Sequence, residues 1–149
     1  PLIGGARSAL IKDVSTPAKT DFYVQLLYWR SNNDNPTYLF RLAEQYLIRS
    51  EAMSKKETPD LVGALADLNA VRNRSSIASF ESTSREEILL AIEEERRVEF
   101  AFEPHRWFDL ARSGRAGTVL GVNDTQKWIF PIPYNDLAAD PALVQNPGY

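Results

Sequence analysis

The sequence predicts an all-α fold: helical hairpins joined by long loops and followed by an ordered, proline-rich C-terminal tail. Three observations carry this expectation. Apolar residues recur at three- and four-residue steps over two neighbouring stretches, which places them on single helix faces. A serine-led capping signal opens a third periodic stretch. Pro131, Pro133, Pro141 and Pro147 space out the end of the chain, where a long helix has no room.

The first helix is the clearest. Leu39, Leu42, Ala43, Tyr46, Leu47, Ser50 and Met53 share one face between Tyr38 and about Lys56, and Thr37 stands where an N-cap hydroxyl accepts from a free amide. Thr58-Pro59 ends the following loop, and Asp60 caps a second helix. Its inward stripe is Leu61, Ala64, Leu65, Leu68 and Val71, and Arg72-Asn73-Arg74-Ser75-Ser76 stops it. So short a connection lays the two helices antiparallel. Ser84 and Glu87 form the capping box of a third helix, which runs through Phe102 to Pro104, where the ring forbids continuation. A short helix from about His105 to Arg112 ends at Ser113-Gly114-Arg115-Ala116-Gly117, and the tail beyond has one helical turn around Asn135 to Ala139.

Ahead of the helices, residues 1–20 carry glycines, a proline and no sustained period, and read as a loop that needs a partner missing from this sequence to pack against. Asp21 to Arg30 is aromatic and branched, an extended segment or a short helix, and Ser31-Asn32-Asn33-Asp34-Asn35-Pro36 breaks it. The 149 residues, enough for one sizeable core, thus divide into a lead-in over 1–36, a helical core over 37–113 and a loop-rich tail over 114–149.

The formal net charge of −3, without a basic block or stripe, argues against a nucleic-acid or anionic-membrane binder. No apolar run approaches the roughly 20 residues needed to span a bilayer. The chain starts at Pro1 rather than Met, which leaves room for an export signal or a lipid-bearing cysteine upstream. With no cysteine, disulfides and thiolate metal sites are excluded within these residues.

The run from Glu93 to Leu110 alternates carboxylates and arginines with apolar residues. Ile88, Ala91, Ile92, Glu95, Glu99 and Phe102 share a face of the third helix, so two carboxylates interrupt an apolar stripe. Paired carboxylates are the machinery of glycosidases, one of them protonated to serve the leaving oxygen. Here Arg96, Arg97 and Arg106 stand close in sequence to Glu95 and Glu99, which favours the ionised forms and denies an acid its raised pKa. The expectation is therefore a structural ion-pair network of Glu95, Arg96, Arg97, Glu99, Arg106 and Asp109, which fixes packing register.

His105, the single histidine, has no serine or cysteine at a nucleophile spacing, no acid and histidine cluster has metal-ligand spacing, and no glycine-rich loop precedes a helix. No catalytic residue, metal or cofactor is expected. Asp34 among its asparagines lacks the acidic residue at the far end of a calcium loop and reads as a solvated turn. Trp107 and Trp128 are assigned to packing. Tyr28 and Trp29 beside Asn32, Asn33 and Asp34 combine ring surface with amide and carboxylate groups, the mixture that binds sugars, and form the candidate ligand site. The alternative is an aromatic pair packed against another part of the protein.

Several ordered motifs carry a family resemblance. Tyr38-Leu39-Phe40-Arg41-Leu42-Ala43-Glu44-Gln45-Tyr46-Leu47-Ile48-Arg49-Ser50-Glu51-Ala52 is an arginine-led helix ending in a Glu-Ala pair, and Leu68-Asn69-Ala70-Val71-Arg72 belongs to the next helix. With the charged run, Phe130-Pro131-Ile132-Pro133 and the closing Gln145-Asn146-Pro147-Gly148-Tyr149, the chain from Tyr38 onward resembles the C-terminal region of the SusD/RagB outer-membrane nutrient-binding lipoproteins. Pro104 stands where the family often has glycine. The placement of Tyr46, Ala52 and Ala64 is similar to a tetratricopeptide unit.

The resemblance implies a tetratricopeptide-related helical fold, held by a lipid anchor on the extracellular face of the outer membrane. Such a protein captures oligosaccharides or other nutrients and passes them to a SusC-like TonB-dependent transporter, breaking no bond. The competing expectation is a tetratricopeptide-like scaffold for a peptide or protein partner. That reading calls for more repeats and an exposed polar groove, whereas this chain gives its last third to a proline-rich tail.

Overall fold

The computed structural model describes residues 4–27 and 38–149. They are mostly helical, and the chain forms two compact units, Pro1–Glu103 and Pro104–Tyr149.

The core of the first unit is built by α1 (Leu42–Lys55), α2 (Leu61–Arg74) and α3 (Arg85–Glu99). Ala43 and Leu47 from α1, Ala64, Leu68 and Val71 from α2, Ile88 and Ile92 from α3, and Phe100 just beyond it are buried together. These are the apolar positions of the 3.6-residue period, so the amphipathic stripes alone dictate which faces meet. Small side chains let α1 and α2 approach closely. Ser50 is buried and donates its hydroxyl to the Ala64 carbonyl at 2.6 Å, while Ser54 donates back to the Ser50 carbonyl at 3.0 Å. Gly63 lies at the same crossing, where an added Cβ would stand 2.9 Å from the Met53 sulfur. At the rim, Arg49 of α1 donates to both oxygens of Asp67 on α2 at 2.6 and 2.7 Å, tying the hairpin with a bidentate pair.

Three helix ends differ from the sequence expectation. Helix α1 starts at Leu42 rather than near Tyr38, because Arg41 is extended at φ −124°, ψ 141° and sends its guanidinium to α3. Thr37, read as its cap, lies outside the described residues. Asp60 caps α2 as expected, its carboxylate accepting from the Gly63 amide at 2.9 Å. For α3, Ser84 accepts from the Glu87 amide at 3.3 Å, but the return bond of a capping box is replaced by a relay. The Ser84 amide donates to the Ser82 hydroxyl, which donates to the Glu87 carboxylate. Helix α3 also stops at Glu99, three residues short of Phe102. Phe102 takes a left-handed φ of 69° and is exposed, and Phe100 supplies the buried ring instead. The turn that precedes Pro104 therefore begins before the proline itself demands it.

The loop between α2 and α3 is fastened by Asn69. Its side chain accepts from the Phe80 amide at 2.7 Å and donates to the Phe80 carbonyl at 3.0 Å, as a neighbouring strand would.

Within 1–36, the described residues hold more order than a loop. A 3₁₀ turn (Gly5–Leu10) leads into β1 (Ile11–Asp13), which pairs antiparallel with β2 (Tyr23–Gln25) in the register Ile11 with Gln25, Lys12 with Val24 and Asp13 with Tyr23. The partner this segment needs is in the chain itself: the Ala6 amide donates to the Ser75 carbonyl at 2.8 Å, just past α2. Gly5 makes this approach at φ 55°, and a Cβ there would collide with that same carbonyl.

The second unit comprises α4 (Arg106–Arg112), α5 (Ala116–Leu120), a 3₁₀ turn (Thr125–Trp128) and α6 (Tyr134–Ala139). Helix α4 falls where the sequence places it and α6 covers the expected turn. Helix α5 and the 3₁₀ turn stand where only loop was expected. The C-terminal residues fold back on the tail through side-chain amides. Gln145 accepts from the Ile132 amide at 2.8 Å and donates to its carbonyl at 3.0 Å, and Asn146 donates to the Phe130 carbonyl at 2.7 Å. Tyr149 closes the clasp by donating to the Ile129 carbonyl at 2.9 Å, under the Lys127 ammonium, which also donates to the Gly148 carbonyl.

Candidate functional site

Four arginines of the first unit converge on one face of α3. Glu95 and Glu99 are one turn apart on that helix and both are buried. Arg7 reaches both, from the 3₁₀ turn, bonding Glu95 and meeting Glu99 at 2.6 Å. Arg72, at the end of α2, donates to Glu95 at 3.1 Å and to the Ala78 carbonyl at 3.0 Å. Arg74 donates to Glu99 at 2.5 Å. Arg41 donates at 2.8 Å to the Glu99 carboxylate, at 2.7 Å to the Glu99 carbonyl and at 2.8 Å to Glu103. The network therefore ties the lead-in, the start of α1 and the end of α2 to the end of α3, from residues up to 92 positions apart in the chain.

Burial pushes the Glu99 carboxyl up, but the hydrogen bond from Arg74 and the charges of Arg7, Arg74 and Arg41 outweigh it. The carboxyl is held below its ordinary value, so it is ionised at neutral pH and has no proton to give a leaving group. Around this centre the guanidinium groups of Arg41 and Arg96 stack on the Phe100 ring at 4.9 and 5.1 Å, covering the charges with an aromatic face.

The residues expected to form the network fall in both units. Glu95 and Glu99 lie at its centre, and Arg96 is buried over Phe100. Arg97 faces outward and pairs with Glu94 on the exposed side of α3. Arg106 and Asp109 belong to the second unit, where Asp109 accepts from Arg112 at 2.9 Å. The partners that Glu95 and Glu99 do have, Arg7, Arg41, Arg72 and Arg74, were missed as such. Their signal was present: arginines stand at or near the ends of helices whose inner faces are otherwise apolar, and two carboxylates inside an apolar stripe require cations from elsewhere.

Tyr28, Trp29, Asn32, Asn33 and Asp34, the candidate ligand site, lie outside the described residues. Trp107 and Trp128 are half-buried. Trp107 meets Phe130 at 6.3 Å, Phe130 also takes the edge of Phe108 at 6.0 Å, and Trp128 donates its indole to the Val122 carbonyl at 2.7 Å.

The chain is a helical framework pinned by buried arginine–glutamate pairs, and comparison with known proteins gives it a family. The chain belongs to the SusD family, whose model matches residues 20–127. It is 30% identical over 131 residues to SusD-like protein P38 of Formosa agariphila, a match covering 80% of this chain and 26% of that protein. It is likewise 30% identical over 128 residues to the starch-binding protein SusD of Bacteroides thetaiotaomicron, covering 78% of this chain and 22% of that one. Among solved structures, a SusD homolog from Bacteroides thetaiotaomicron superposes with a TM-score of 0.64 at 28% identity, over 72% of this chain and 24% of that one. The chain thus spans about a quarter of the length of these relatives.

Proposed function

We propose that this chain is the C-terminal part of a cell-surface protein that captures a glycan or another nutrient and delivers it to a SusC-like TonB-dependent transporter, without breaking a bond. The observation that carries the reading is the family membership, in which a relative similar over 78% of this chain is a starch-binding protein. The geometry supports the non-catalytic half. The buried carboxylates of α3, Glu95 and Glu99, are enclosed by arginines, and Glu99 is held ionised, which is a framework role and not that of a proton donor. Among the described residues no helix is long and apolar enough to cross a membrane. In this reading, attachment to the outer face of the outer membrane falls to an N-terminal lipid anchor.

Tyr28 and Trp29, with Asn32, Asn33 and Asp34, are the proposed sugar contacts, on the chemistry of ring stacking and hydroxyl hydrogen bonding. Retardation of the full-length gene product in gels cast with starch and other polysaccharides tests the reading. Retardation by at least one polysaccharide, weakened in Trp29→Ala, supports both capture and this site. Retardation unchanged by the substitution moves the site elsewhere, and migration indifferent to every glycan removes the glycan from the proposal.

A further inference from the structure

We infer that the α1–α2 hairpin has a second packing face, a groove that docks a helix from the part of the full-length gene product preceding these residues, a step that rests on the reading of this chain as the C-terminal part of a longer protein. Beside the stripe that faces the core, each helix of the hairpin carries another. On α1 it is Leu42, Tyr46, Arg49 and Met53, and on α2 it is Gly63, Asp67, Ala70 and Arg74, again at three- and four-residue steps. The two stripes meet along the hairpin. The Met53 sulfur lies against Gly63, Arg49 bonds Asp67, and Leu42 and Tyr46 line a depression of about 210 Å³ with Ala70 and Arg74. A second depression, of about 370 Å³, extends over Leu42, Gln45, Tyr46, Ile48 and Arg49.

Three properties of this face specify an apolar helix. The first is exposure. Leu42 is 73% exposed and Ile48 46%, and Leu39 and Phe40, just ahead of α1, are exposed as well. Large apolar side chains this close in sequence, uncovered by the described residues, mark a surface that another element buries. The second is charge. Arg49 gives Nε and one terminal nitrogen to the two Asp67 oxygens and lies over the Tyr46 ring at 5.5 Å, so a partner laid across the groove strands no lone charge. The third is shape. Gly63 and Ala70 keep the α2 side low, and shallow depressions strung along α1 take the i, i+3 and i+4 side chains of a helix rather than one compact ligand.

The source of the helix follows from length. The matched region is 26% of SusD-like protein P38 and 22% of the starch-binding protein SusD, so about three-quarters of such a protein lies outside it and needs surface to pack on. The open stripe of α1 and α2 is such a surface, continuous with the hairpin's own interface at Met53 and Gly63.

The test is photo-cross-linking of the full-length gene product carrying p-benzoylphenylalanine at Gln45, on the groove, or at Glu57, in the exposed α1–α2 loop, followed by mass-spectrometric mapping. The expected result is an intramolecular cross-link from position 45 to a segment preceding Pro1, with none to that segment from position 57. Leu42→Glu gives a second reading. On an open surface this change is neutral or mildly favourable, because a carboxylate in the first turn complements the helix dipole, whereas under a docked helix it buries a charge. Full-length Leu42→Glu is therefore expected to melt several degrees below the wild type, and Glu57→Gln to melt with it. Cross-links from position 45 to a second copy, to another protein or to residues of this chain, or a Leu42→Glu variant as stable as the wild type, would overturn the inference. Should the variants fail to fold, hydroxyl-radical footprinting of the wild type decides: Leu42 oxidised as slowly as the buried Leu47 supports the docked helix, and Leu42 oxidised as fast as an open leucine overturns it. An intact mass no greater than that of these 149 residues would remove the reading beneath the inference, whereas an open groove in a longer product overturns the inference alone and leaves nutrient capture standing.

Discussion

Glu99 gathers Arg7, Arg41 and Arg74 around one carboxylate, so its charge state reports on the whole framework. Replacing it by Gln keeps the shape, removes the charge and leaves three guanidiniums facing a neutral amide. Breaking a buried ion pair from one side typically costs about 3–5 kcal/mol, and urea denaturation of Glu99→Gln is expected to show a loss of about 3 kcal/mol. The pH dependence has a definite sign. Because the folded carboxyl is held below its ordinary value of 4.5, the stabilisation is fully present above that value and is lost as pH falls through the lower, folded-state pKa. Thermal unfolding of the wild type is therefore expected to weaken more steeply below pH 4.5 than that of Glu99→Gln. Parallel acid profiles for the two proteins would remove Glu99 from this role.

Helices α1 and α2 were legible because most of their inward steps are apolar or small: Leu47, Leu68 and Val71 needed only their spacing to be placed in the core, whereas Leu42, expected on the same stripe, is exposed. The ends were less legible, for a tertiary reason. Nothing local to Arg41 says that its guanidinium will reach Glu99 and Glu103, yet that bond holds the residue out of the helix. Phe102 kept the helical period and Phe100 broke it, but Phe100 is the ring that two guanidiniums cover. In the tail, α5 (Ala116–Leu120) is one short segment ended by Gly121 at φ 73°, and its glycines looked like punctuation in the sequence.

Two substitutions probe these elements. Gly63→Ala gains up to about 1 kcal/mol of helix propensity, but the new methyl meets the Met53 sulfur and the Asp60 cap. Net destabilisation of about 1 kcal/mol is expected in chemical denaturation. Asn69→Ala strips both partners from Phe80, and the unpaired backbone groups should cost about 1–3 kcal/mol. Hydrogen exchange should show the Phe80 amide opening far faster than the α2 amides. Unchanged protection at Phe80 would mean that the loop is fastened by other contacts.

At the scale of the molecule, the sequence motifs reached the family through framework residues, and the structure shows why those motifs are so dense. The Glu-rich end of α3 and the arginines that answer it are a single ion-pair network, spread over the chain from Arg7 to Glu103. Gln145-Asn146-Pro147-Gly148-Tyr149, at the other end, is a clasp whose amides and phenol each serve a carbonyl or amide of residues 129–132. Ligand contacts left no comparable signature, because a sugar platform needs only an exposed ring and a few polar groups, a pattern shared with ordinary surface turns. That is why Tyr28 and Trp29 stand as a proposal while the framework is defined atom by atom.

The proposed role is capture of a sugar without its cleavage. Isothermal titration of the full-length gene product with a panel of oligosaccharides, followed by chromatography of the recovered sugar, tests it most directly. Saturable binding of at least one oligosaccharide is expected, with recovery of that sugar at its original length. Recovery of shortened products, or no binding by any member of the panel, would contradict it.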